Sequence, residues 1–79
     1  MENKDKELAM ALVEEFMFLG VNKLHGIEHA KTTLILLIES LKQINEYCLE
    51  LSNVNVLVFS KIDSDLFSLR NQLEHLNSI

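Results

Sequence analysis

The sequence predicts an all-α chain of three helices, in which helices two and three form a long antiparallel hairpin, an N-terminal helix closes a second side, and copies assemble as a homodimeric helical bundle. Three observations lead there. Proline is absent and both glycines, Gly20 and Gly26, fall in one short stretch, so only one strong break interrupts the first fifty residues. Apolar residues recur at steps of three and four through most of the chain, the period that keeps one stripe of a helix facing a partner. Finally, 48% of the 79 residues are hydrophobic, more than three short amphipathic faces need, and a single core of this size leaves only about 3–5 kcal/mol of net stability without some further support.

Helix one is expected over residues 5–19. Ala9, Met10, Leu12, Val13, Phe16, Met17 and Leu19 make a broad band, with Glu7, Ala11, Glu14 and Glu15 on the other side. Asp5 and Glu7 suit the positive end of its dipole, and Gly20 suits its close, because glycine tolerates the left-handed backbone that ends helices. Phe18 projects on the polar side, and the expectation is that it folds over onto the following turn, the other reading being a contact for a partner. Between Gly20 and Gly26 the chain turns, and helix two starts either at an Asn22 cap, with Gly26 inside it, or after Gly26.

Helix two, over residues 24–51, carries the stripe Ile27, Ala30, Leu34, Leu37, Leu41, Ile44, Cys48 and Leu51. Beside it stand Ile35, Leu36 and Ile38, which make the helix apolar on nearly every side at that level, so it must be covered on more than one side. Its charges alternate in sign at spacings of three and four, Glu28 with Lys31, Glu39 with Lys42 and Lys42 with Glu46, as on an ordinary solvated face. A helix of this length approaches 40 Å at about 1.5 Å per residue, so the molecule is expected to be elongated.

Helix three, over residues 54–77, steps through Phe59, Ile62, Leu66, Leu69, Leu73 and Leu76, with Ser52 or Asn53 as its cap and Ser68, Asn71 and Gln72 among its polar surface residues. The alternation of Val54, Val56 and Val58 also fits a short strand, with Ser60 and Asp63 capping a shorter helix. Continuous helix is the expectation, since one strand has no partner in this chain. Phe67 lies off the main stripe near the line of Val56.

The composition excludes more than it identifies. The amino-terminal residues mix both charge signs and lack the long apolar run of a secretory signal, no apolar stretch approaches a membrane span, and the lone Cys48 reads as a buried thiol in a reducing compartment, so a soluble cytoplasmic protein without membrane contact is expected. A net charge of −5, with the basic residues dispersed over all three helices, opposes sequence-independent binding to nucleic acid.

His25, Glu28 and His29 match the H-x-x-E-H pattern in which two histidines one helical turn apart hold zinc and a glutamate activates water. Such a site needs a third ligand and a cleft, and here a glycine occupies the metal-binding turn, so two exposed imidazoles are the expected reading. Asp63 and Asp65 lack the glycine and terminal glutamate of a calcium loop, and Glu14 and Glu15 point about 100° apart on a helix and so make no acid–base pair. Neither a nucleophile elbow nor a phosphate-cradling loop is present.

The chain is therefore expected to be a non-enzymatic helical interaction protein of the regulator, inhibitor or chaperone type, with no cofactor, binding itself and another protein. A DNA-binding regulator, or a metal-binding protein using His25 and His29, are the alternatives. The surplus apolar residues Phe18, Ile35, Leu36, Ile38, Val56 and Phe67 are the candidate contact surface.

Overall fold

A computed structural model of the chain describes residues 2–51 and 55–79. It is all-helical, with α1 over Glu2–Phe18, α2 over Lys23–Glu50 and α3 over Val56–Asn77, each packed against the other two. Alpha-helix propensity is uninterrupted in α1, which starts three residues earlier than its charge pattern suggests and stops at Phe18, with Leu19 already in the turn. Gly20 adopts φ +105°, a conformation in which a Cβ would be strained, and this is what lets the chain leave α1 and turn at once into α2.

Of the two possible starts for α2, the earlier one is adopted. Asn22, in an extended conformation, caps the helix by accepting a hydrogen bond from the His25 backbone N–H at 2.9 Å, which satisfies one of the amides with no partner inside the helix. Gly26 then lies inside α2 and is buried, because α1 passes directly over it: a Cβ there would stand 3.3 Å from the Val13 carbonyl oxygen and 3.3 Å from Met17 Cγ. The glycine that weakens α2 locally is what allows the two backbones to approach.

At the start of α3 the cap is Asn55, whose side chain accepts from the Leu57 N–H at 2.9 Å. Ser52, Asn53 and Val54, proposed as cap and first residue, lie outside the described residues. From Val56 to Phe59 the chain is helical, so the strand reading fails over those positions; an asparagine cap gives the β-branched run a helix to enter.

The core has two parts. Ala9 and Val13 of α1, Ala30 and Leu34 of α2 and Leu76 of α3 are buried together, with Met10, Leu12, Phe16, Ile27, Leu69 and Leu73 packed around them. Further along, Ile38 of α2 joins Ile62 and Leu66 of α3, with Leu41 and Cys48 alongside. Each fully buried Leu or Val contributes roughly 1.5–3 kcal/mol. The molecule extends 47 × 23 × 19 Å, the long axis matching the 28 residues of α2.

These clusters correct the expected stripe of α2. The side that packs on α3 is Leu34, Ile38 and Leu41, continuing through half-buried Asn45 to Cys48, whereas Leu37 and Ile44 are half-exposed. A run in which nearly every position is apolar fits more than one stripe at 3.6-residue spacing, and the choice is made by which side α3 takes. Ile38, expected on the contact surface, is consequently core, at 7% exposure.

Candidate interaction surface

Five of the six candidate contact residues are exposed, and they do not form one patch. Phe18 is 90% exposed at the end of α1, beside Ala11, Glu14 and Glu15. It does not fold onto the turn, because Leu19 and Gly20 close α1 with backbone bonds to Phe16 and Met17 that carry the chain away from its ring. Ile35 and Leu36 are adjacent on α2 and so point about 100° apart, while Val56 and Phe67, eleven residues apart, share one side of α3. All four are about half-exposed or more.

Several polar residues that read as plain surface are instead interhelical. The Ser68 hydroxyl donates to Asp5 Oδ1 at 2.6 Å, Asn71 Nδ2 donates to Asp5 Oδ2 at 3.1 Å, and Gln72, itself buried, donates from Nε2 to Ser68 Oγ at 3.2 Å. This cluster fastens the start of α1 to α3, and the two donors, Ser68 first and Asn71 second, hold the Asp5 carboxyl below its ordinary value of 3.8. Charge spacing suggested a dipole role for Asp5; nothing in a single sequence signals a partner 63 residues away. Half-buried Asn45, on the side of α2 that runs from Ile38 through Leu41 to Cys48, differs from these: its Oδ1 is buried with no hydrogen-bond partner among the described residues.

The surface ion pairs follow the helical spacings. Glu28 pairs with Lys31 and Glu39 with Lys42, both at 3.7 Å, and Lys61 with Asp65 at 3.0 Å. Exposed pairs of this kind contribute about 0.2–0.5 kcal/mol each.

As for chemistry, His25 and His29 are both exposed, and the His29 ring lies against Phe16 with centroids 5.4 Å apart. Among the described residues no group of three or more His, Cys, Asp or Glu is placed to hold a metal ion. A groove of about 620 Å³ between the start of α1 and α3 is lined by Asp5, Lys6, Phe67, Asn71, Glu74, His75 and Ser78. Its one internally bonded acid, Asp5, is committed to Ser68 and Asn71. No helix among the described residues is long and apolar enough to cross a membrane.

The distribution of apolar surface is the distinctive feature. In α2, Leu36, Leu37, Ile44 and Tyr47 are each about half or more exposed, as are Leu57 and Phe67 in α3. Compared with protein-family models, with curated proteins and with solved structures, the chain matches none.

Proposed function

We propose that this chain is a non-enzymatic helical interaction protein that associates with itself and acts by binding another protein, its α2 and α3 running antiparallel as the arm that carries the contacts. One observation carries the reading. On a chain of 79 residues, large apolar side chains are exposed along both helices of the longer pair, more than scattered single residues on a monomer's surface account for. The antiparallel direction is supported by the order of the core partners: Ala30 and Leu34, early in α2, cluster with Leu76 late in α3, and Ile38, later in α2, clusters with Ile62 and Leu66 early in α3.

Such a surface supports binding by burial, in which the partner removes apolar area from water at roughly 25 cal/mol per Å² before ordering costs are subtracted. Sedimentation equilibrium of the full chain at micromolar concentration tests the self-association directly. A concentration-dependent mass rising to twice 9.1 kDa is the expected result, and a monomer at every concentration would overturn it.

A further inference from the structure

Past the end of α1, α2 is left without its neighbour on one side. Gly26 lies under Val13, and from Val13 α1 runs back to Glu2, about 17 Å of helix, while α2 runs on from Gly26 to Glu50, about 36 Å. The final ~19 Å of α2 therefore extends beyond α1. The side of α2 that meets α1 continues along that length. At 100° per residue, Leu37, eleven residues beyond Gly26 and level with the start of α1, and Ile44, eighteen residues beyond it and past α1, both lie within about 20° of its direction, and both are half-exposed. On α3 the same holds: Leu57, 73% exposed, stands eleven residues before Ser68, the residue that bonds Asp5 of α1, and shares its side of the helix.

We propose that this bare line is the seat of a second copy of the chain. Two α2–α3 arms lie across each other about a two-fold axis, and each supplies the helices that the other's α1 is too short to supply, giving a four-helix core of ordinary dimensions. The inference rests on the self-associating reading above and adds to it the face and the geometry.

Charge, area and continuity select this occupant. The chain carries a net charge of −5, so two copies repel wherever acidic surfaces meet. Past α1 the charged residues of α2 are Glu39, Lys42, Glu46 and Glu50, all pointing at least about 120° from this line, which leaves Ser40, the Tyr47 hydroxyl and, at its edge, Gln43 as its polar groups. On α3 the charges that fall on this side, Lys61 and Asp65, neutralise each other at 3.0 Å. A basic partner finds on this line only Asp65, already paired with Lys61, whereas a neutral apolar strip is complementary to itself.

The exposures of Leu37, Ile44, Tyr47 and Leu57 leave on the order of 400–450 Å² per copy, within the range of a monomer's largest patch and about half of the ~800 Å² per partner of a standard stable interface, the rest coming from its rim. Lower on the molecule, α1 already shows that this side of α2 accepts a helix at close range.

Tyr47 provides a native probe, since it is the chain's single tyrosine and there is no tryptophan. Acrylamide quenching of its fluorescence is followed on the unmodified full chain as concentration rises through association, alongside sedimentation of Ile44→Glu and, as a control on the opposite side of α2, Ile35→Glu. The expected results are a loss of quenching as dimer forms, association weakened at least ~100-fold by Ile44→Glu through burial of an unpaired carboxylate, and a change of less than about 3-fold for Ile35→Glu, as for an exposed site.

A dimer in which Tyr47 stays fully quenchable, or one dissociated by Ile35→Glu and not by Ile44→Glu, overturns this face while leaving self-association standing. A chain that is monomeric throughout overturns both. Should Ile44→Glu lose its helical signal, the quenching of the unmodified chain decides between these outcomes.

Discussion

Gly26 is the position at which the packing can be tested most directly by a single substitution. Two effects of opposite sign act there. Replacing glycine within a helix interior by alanine removes backbone freedom from the unfolded chain and stabilises by about 1 kcal/mol. Against this, the new Cβ stands 3.3 Å from the Val13 carbonyl oxygen, 3.4 Å from Val13 Cγ1 and 3.3 Å from Met17 Cγ. Met17 is 40% exposed and can swing aside; the Val13 carbonyl belongs to the backbone of α1 and moves only if the helix moves.

Gly26→Ala is therefore expected to be close to neutral, within about 1 kcal/mol. Gly26→Val adds two methyl groups against the same backbone and loses most of the propensity gain, so overpacking of about 1–3 kcal/mol dominates. For a domain of this size 1 kcal/mol shifts the melting temperature by roughly 4–8 °C. Thermal unfolding followed by circular dichroism should place Gly26→Val on the order of 5–20 °C below the unmodified chain, with Gly26→Ala near it. If valine is tolerated as well as alanine, α1 does not lie over Gly26, and the derivation of the bare end of α2 loses its reference point.

Four further outcomes follow from other positions in the fold. Gly20→Val should cost about 1–2 kcal/mol although nothing lies within 4 Å of where its Cβ would stand, because the strain is in the φ of +105°; Gly20→Asn, measured in the same melts, should cost visibly less. Asp5→Asn should lower stability at neutral pH, and the difference should shrink in acid: a carboxyl held below 3.8 contributes stability that is fully present above that value and is lost as pH falls through its lowered folded-state value, which melting temperatures measured from neutral to acidic pH will show. Asn45→Leu, which removes a buried oxygen lacking a partner, should raise the denaturation midpoint by the equivalent of about 1 kcal/mol or more. Ile38→Glu should abolish the cooperative melt, since Ile38 packs with Ile62 and Leu66, whereas Leu36→Glu, at an exposed position, should leave helicity intact.

The helices and the turn between α1 and α2 were legible in the sequence because their signals are local. Gly20 and Asn22 act through bonds within four residues of themselves, and the stripe of α3 is unambiguous because polar residues flank Ile62, Leu66, Leu69, Leu73 and Leu76. What was not legible depends on pairs distant in the chain. The Asp5, Ser68 and Asn71 cluster joins α1 to α3, and the burial of Gly26 is set by a neighbouring backbone, so neither has a signature in spacing.

The choice between Leu37 and Ile38 is the instructive case, because both are apolar and both fit a helical stripe. Burial of Ile38 against Ile62 and Leu66 commits one side of α2 to α3, and this fixes the side holding Gly26 for α1. Leu37 and Ile44 are then explained neither by the α3 contact nor by α1, which ends before reaching the level of Ile44. The excess apolar stripe that made the α2 periodicity ambiguous in sequence is thus the same stripe left uncovered in the fold. One physical feature accounts for both: the far end of α2 is apolar on two sides along a length where, among the described residues, α3 is its one neighbour.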